Sequence, residues 1–292
     1  MSENSKPTLL VTGASGHLGR RVVELLLAAN TGTIVATTRS PEKLADLQQQ
    51  GVIVRSADFN DPASLAQAFA GVDRLLLIST DALGEPGLRL KQHTSAVQAA
   101  AAAGVNHVVY TSLINPGPDS PVLFAPDHQG TEDALAASPL NFTVLRNNLY
   151  ADLLVGALGQ ALPMGQMFSA AGDGRIAYVT REDCAQAAAA ALAAPFNGRR
   201  ILDITGPEAL SQADVAAIGS KITGKPLTYV PVPTEAMIQG MVGAGLPQPV
   251  AATYASIDTA AAQGQFDVVS DAFEELTGRK ATAVADFLTA VL

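Results

Sequence analysis

The chain has 292 residues, 48% of them hydrophobic, and a formal net charge of −9, so it can bury a large core and offers nucleic acid no basic footprint. No run reaches the roughly 18 apolar residues of a membrane span. Residues 1–6 lack an apolar signal segment, and the one cysteine, Cys184, allows neither an internal disulfide nor a metal cluster. A cytoplasmic protein is expected, with a frayed tail at 1–6 and with neither nucleic acid nor membrane as partner.

Residues 9–12 read as an apolar strand running directly into Gly13-Ala14-Ser15-Gly16-His17-Leu18-Gly19. Gly13 permits a tight turn, Gly16 a close backbone approach, and Gly19 the packing of the next helix on the sheet. From 17 to 29, Leu18, Val22, Leu25 and Leu26 recur at helical spacing, which leaves the first-turn N–H groups facing outward toward a diphosphate. A dinucleotide held by Gly13, Ser15, Gly16, His17, Leu18 and Gly19 is the reading. The next strand, 33–38, ends at Arg39, where an acid would accept from a ribose 2′-hydroxyl. A guanidinium there suits a 2′-phosphate instead, so NADPH is expected over NADH. Ser40 either bonds that phosphate or caps a helix that Pro41 opens and Gly51 closes.

Strand and helix then alternate. A strand at 52–57 is followed by Asp58 and Phe59, placed to meet an adenine. A helix starts at Asn60-Asp61-Pro62, and residues 75–78 form an apolar strand followed by Ser79. A long helix over 88–103 leads to a strand at 108–111 ending in Thr111, and a helix over 127–137 to a strand at 142–145. Such alternation implies an α/β fold with a doubly wound parallel sheet, Rossmann-like, and a smaller C-terminal substrate-binding portion. The expected organisation is a single domain over 1–292, with about 1–150 mainly binding cofactor and about 151–292 mainly binding substrate and completing the sheet. In such sheets ligands lie beyond the carboxyl ends of the strands, which selects Arg39, Asp58, Phe59, Ser79, Thr111 and Asn147. Residues 163–168 read as a methionine-rich loop suited to a flat acceptor. Thr180 and Asp183 read as a capping box, and Ser211 as the cap of a helix closed by Gly224.

Together, VTGASGHLG, Arg39, Asp58-Phe59-Asn60, His128-Gln129-Gly130-Thr131-Glu132, Leu145-Arg146-Asn147-Asn148-Leu149-Tyr150 and Tyr178 to Asp183 resemble the NmrA-like, atypical branch of the short-chain dehydrogenases/reductases. Within it the chain is similar to bacterial type 2 NADPH:quinone oxidoreductases and triphenylmethane dye reductases. The resemblance implies hydride transfer from NADPH to a quinone-like or aromatic dye-like acceptor, with a homodimer left open. The Tyr-x-x-x-Lys pair of ordinary superfamily members is absent: Ile114, Leu154, Glu182, Pro233 and Asp258 stand four places after the five tyrosines. An acceptor that takes hydride readily needs no such acid. His128 stands about where the missing tyrosine would, either as a proton donor sharing a helix face with Glu132 or simply in an exposed first turn, and Tyr150 is a candidate for the substrate pocket. Two alternatives stay open: an NADP-binding redox sensor without turnover, and a conjugated-enone reductase using His128 as acid.

Overall fold

Short apolar segments that end in glycine or a hydroxyl residue make the strands, and longer segments with one apolar face make the helices. In the computed structural model, which describes residues 6–292, the first elements are β1 (Thr8–Val11), α1 (His17–Ala29), β2 (Thr33–Thr38), α2 (Ala45–Gln49), β3 (Ile53–Ser56), α3 (Pro62–Phe69), β4 (Arg74–Leu77) and α4 (Leu88–Ala102). They are followed by β5 (His107–Leu113), α5 (Ala125–Ala137), β6 (Asn141–Asn147), α6 (Asp152–Met164), β7 (Gln166–Ser169), β8 (Arg175–Ile176), α7 (Arg181–Ala193) and β9 (Arg199–Ile204). The chain closes with β10 (Leu210–Ser211), α8 (Gln212–Thr223), β11 (Thr228–Pro231), α9 (Thr234–Gly243), α10 (Gln248–Ala262), α11 (Ala272–Thr277) and α12 (Val284–Val291).

The main sheet has seven strands in the order β3-β2-β1-β4-β5-β6-β9. β1 pairs in parallel with β2, Leu10 opposite Val35, and with β4, Leu10 opposite Leu75. The strand order therefore reverses at β1, the switch point where an open α/β sheet offers a crevice. Every residue of β4 is buried, as expected for a central strand covered on both faces.

The chain divides into two compact units, and the division is not sequential. One comprises 1–112, 127–146 and 184–202; the other comprises 113–126, 147–183 and 203–292. Residues 184–202, carrying most of α7 and the start of β9, belong to the first unit and complete its sheet. Each unit has its own core. In the first, Leu10, Val35, Leu65, Phe69, Leu75, Tyr110 and Val144 pack together. In the second, Leu154, Leu158, Ile176, Val215, Phe266 and Leu288 do so.

Several local expectations are corrected. Residues 41–51 do not form one helix: Pro41–Leu44 is a 3-10 turn, Leu44 takes φ −114° and ψ 16°, and α2 starts after it. Burial of the Leu44 side chain accompanies this break. Residues 163–168 are not a loop. Pro163 and Met164 end α6, Gly165 caps it at φ 67°, and β7 pairs in parallel with β11. Gly165 stops the helix, and the alternation of buried Met167 and Ser169 with exposed Gln166 and Phe168 then follows the two-residue strand period. The capping box at Thr180 is half formed: the Asp183 amide donates to Thr180 Oγ1 at 3.0 Å, but the Asp183 carboxylate is taken by Arg279 and Thr282. At Ser211 the box is complete with Asp214, and Gly224 closes the helix. Of the expected frayed tail, residues 1–5 lie outside the described residues, and Lys6 donates to the Asn30 side chain at 2.9 Å.

Candidate functional site

The site is built where β1 passes into α1. Gly13 turns the chain at φ 60°, a left-handed conformation that side chains disfavour. The Gly16 amide donates back to the Gly13 carbonyl at 2.9 Å, and the Ala14 amide donates to the Thr37 carbonyl at 3.0 Å, tying the loop to β2. Gly16 is the N-cap of α1 and supplies no side-chain cap; the first turn holds no acid. A helix end with uncompensated N–H groups is an anion site. Gly19 lets the helix approach: a Cβ there would lie 2.5 Å from the Gly13 carbonyl oxygen. Ser15 and His17 are exposed beside this helix end, and Leu18 is buried beneath it.

Arg39 follows β2. It is exposed and has no ion pair among the described residues. A cation held at a strand end without a protein partner is what an external anion requires. Asp58 uses one carboxylate oxygen to accept from the Asn60 amide at 2.9 Å, while half-buried Phe59 packs on the core of the first unit. The ends of β1, β4 and β5 are stitched together by hydroxyls. Thr12 Oγ1 accepts from the Ile78 amide at 2.9 Å, and Thr111 Oγ1 accepts from the Ser79 amide at 3.0 Å. These bonds shape the rim and leave the Ser79 side chain half-buried on it.

Behind the rim lies a polar network that the sequence reading missed. The Thr80 amide donates to His93 Nε2 at 2.9 Å, so the His93 proton sits on Nδ1, which donates to Thr131 Oγ1 at 2.9 Å. Thr131 in turn donates to the Asp127 carbonyl at 2.6 Å. The Tyr110 hydroxyl and His128 Nδ1 share a hydrogen bond of 2.9 Å. His128 is only 3% exposed, so the exposed-first-turn alternative is overturned. Burial, reinforced by the Arg89 guanidinium, lowers His93 to about 3 and holds His128 well below the usual imidazole range. Burial also raises the Tyr110 phenol. All three groups are therefore neutral near pH 7.

This neutrality has a consequence for stability. A histidine whose folded pKa is depressed stabilises fully above its unfolded pKa, near 6.5, and that stability is lost as pH falls toward the folded value of about 3. Urea midpoints should therefore fall as pH is lowered from about 7.5 to 5, by up to about 1.4 kcal/mol per unit from His93 below its unfolded pKa. His93→Gln, which does not titrate, should lose less over the same interval; equal losses would show that His93 does not contribute.

Glu132 lies on the same helix as His128 and is bonded to residues of other elements. It is 6% exposed, accepts from Ser112 Oγ at 2.6 Å, and is gripped by Arg146 through Nη2 at 2.6 Å and Nε at 3.0 Å. In the second unit, Asn147 is buried and its Oδ1 has no hydrogen-bond partner among the described residues. Neighbouring Asn148 is committed to structure, donating to the Phe266 carbonyl at 3.0 Å. Tyr150 is half-buried, with the Arg181 guanidinium 5.3 Å above its ring.

The NmrA-like family profile matches residues 5–288. Quinone oxidoreductase 2 of Escherichia coli is 36% identical over 279 residues, covering 95% of this chain and 96% of that protein. The crystal structure of the Escherichia coli NADPH-dependent quinone oxidoreductase complexed with NADPH superposes with a TM-score of 0.91 at 36% identity, covering 97% and 99% of the two chains. That of Citrobacter triphenylmethane reductase complexed with NADP(H) gives 0.90 at 34% identity, covering 97% and 100%. With an uncapped helix end after a glycine loop, a cationic strand end, and a match over nearly its whole length, this chain belongs to the NmrA-like family.

Proposed function

We propose that the protein is an NADPH-dependent reductase that transfers hydride to a quinone-like or aromatic dye-like acceptor. The observation that carries the reading is the uncapped α1 terminus at Gly16 together with an exposed Arg39 that has no ion pair among the described residues, on the same sheet rim. The relatives named as NADPH-dependent quinone oxidoreductase and triphenylmethane reductase support it. The residues fit the dinucleotide. First-turn amides of α1, with Ser15, His17 and Leu18 around them, hold the diphosphate; Arg39 takes the 2′-phosphate; Asp58 and Phe59 border the adenine, and Ser79 and Thr111 form the inner rim. Within the second unit, Asn147 Oδ1 is buried with no hydrogen-bond partner among the described residues and can accept from a ligand N–H.

When bound, the reduced nicotinamide supplies the hydride. The chain contributes position and exclusion of water rather than acid catalysis. Burial raises the Tyr110 phenol and keeps the His128 bonded to it neutral, so neither is poised as a strong acid. Acceptors whose reduction restores aromaticity or neutralises a cation suit such a site, with solvent providing the remaining proton. Tyr150 is assigned to the acceptor pocket. A cytoplasmic location belongs to the same proposal.

The test is a titration with NADPH and NADH followed by mixing with quinones, triarylmethane dyes and enones while reduced-nicotinamide absorbance is recorded. NADPH should bind at least about tenfold more tightly than NADH, a gap of roughly 1.4 kcal/mol. Arg39→Asp should abolish or reverse the gap, and quinones or dyes should turn over. Equal affinity for both cofactors would remove the assignment of Arg39. Tight NADPH binding with no turnover of any acceptor would make the protein a redox-sensing binder instead.

A further inference from the structure

We infer that Thr38 is a positioning residue that couples the glycine loop to the Arg39 arm, so that one buried hydroxyl sets both dinucleotide affinity and the preference for a 2′-phosphate. The inference rests on the seating of NADPH proposed above. Thr38 ends β2 and is 6% exposed. Its Oγ1 works in two directions, accepting from the Ser40 amide at 3.1 Å and donating to Ser15 Oγ at 2.9 Å. The first bond closes a tight turn with Arg39 at its tip. The second crosses to the exposed loop between β1 and α1, beside the backbone bond from the Ala14 amide to the Thr37 carbonyl.

Each bond has a directional consequence. Because Thr38 gives its proton to Ser15, Ser15 keeps its own hydroxyl hydrogen to donate outward beside the uncapped end of α1. Ser15 is exposed and makes no other hydrogen bond among the described residues. Arg39 has no ion pair there either, so the turn held by Thr38 is what aims its backbone. One side of the hydroxyl thus serves a diphosphate, which NADH and NADPH share, and the other serves a 2′-phosphate, which only NADPH has. Loss of the hydroxyl should weaken both cofactors, and NADPH more.

The experiment measures dissociation constants for NADPH and NADH by calorimetry on Thr38→Val, Thr38→Ser, Ser15→Ala and the Ser15→Ala/Thr38→Val double variant, with folding checked by circular dichroism. Val keeps the β-branched shape that a buried strand position accepts; Thr38→Ala serves the same comparison if Val does not fold. The expected result is a loss of about tenfold for NADPH and about threefold for NADH in Thr38→Val, from two hydroxyl bonds of ordinary strength. Thr38→Ser should stay within about twofold, and the double variant should bind NADH no more weakly than the weaker single variant. Binding of both cofactors within about twofold of the unmodified protein, equal losses for both, or full additivity with Ser15→Ala would overturn the inference. Gly16→Val is run alongside. If it leaves NADPH binding intact, the seating itself is wrong; if it abolishes binding while Thr38→Val changes nothing, only the role of Thr38 falls.

Discussion

Gly16→Val is expected to weaken NADPH binding at least about a hundredfold, roughly 2.7 kcal/mol, while the protein stays folded. The separation of binding from folding comes from the three glycines having different geometries. Gly13 stands at φ 60°, so any side chain there strains the backbone itself. A Cβ on Gly19 would lie 2.5 Å from the Gly13 carbonyl oxygen and 2.8 Å from its carbon, forcing α1 away from the loop. Gly16 has φ −85° and ψ 165°, an extended conformation open to any residue. A Cβ on Gly16 meets only the Gly13 carbonyl oxygen within 4 Å, at 3.3 Å, so that this oxygen must give by a few tenths of an ångström. The added isopropyl group would then occupy space in front of the α1 amides, where the diphosphate belongs. Calorimetric titration with NADPH, paired with a thermal melt, checks both halves. Unchanged affinity in a folded Gly16→Val protein would move the dinucleotide elsewhere.

What the sequence made legible divides along a physical line. Strands of the central sheet could be read because burial on both faces leaves runs such as Leu75-Leu76-Leu77 with no polar alternative. The start of α1 could be read because only glycine fits its turn and its close approach. Residues 163–168 were misread because a helix end and a strand meet at Gly165, and six residues hold too few periods to separate them from a loop. The network behind the rim was illegible for another reason. On α4 the inward face is formed by Arg89, Gln92, His93, Ala96, Val97 and Ala100, so its first half is polar and reads as solvated. The spacing itself held the signal, since 89, 92, 93 and 96 recur at helical intervals continuous with the apolar half. Polar residues on a buried face must be hydrogen-bonded, but a sequence does not say to whom. The same limit explains Thr38 and Glu132, whose partners lie on other elements.

Glu132→Ala is expected to be strongly destabilising, by about 2–4 kcal/mol. Removing one member of a buried ion pair costs about 3–5 kcal/mol; here the figure is reduced because the Arg146 side chain is about a quarter exposed. Two groups lose their acceptor. Arg146 reaches Glu132 through both Nε and Nη2, and the Ser112 hydroxyl, 5% exposed, donates to the same carboxylate. At about 2–4 °C per kcal/mol for a domain of this order, the apparent Tm should fall by several degrees or more. Glu132→Gln keeps an acceptor for Ser112 but removes the charge, and should fall between the two. In the Glu132→Ala/Arg146→Met pair, the cation that faced the lost carboxylate is removed as well, so part of the loss should return, giving a coupling that a double-mutant cycle reads directly. A Tm within about 1 °C of the unmodified protein for Glu132→Ala would show the pair to be dispensable. The expected loss gives physical content to the two segments that carried the family resemblance. His128 and Glu132 share one helix, yet His128 belongs to Tyr110 and Glu132 to Arg146, so the His-x-x-Thr-Glu segment clamps α5 to two successive strands, β5 through Tyr110 and Ser112 and β6 through Arg146. A change at Glu132 should therefore register first in the melt and in cofactor affinity only to the extent that the rim moves with it.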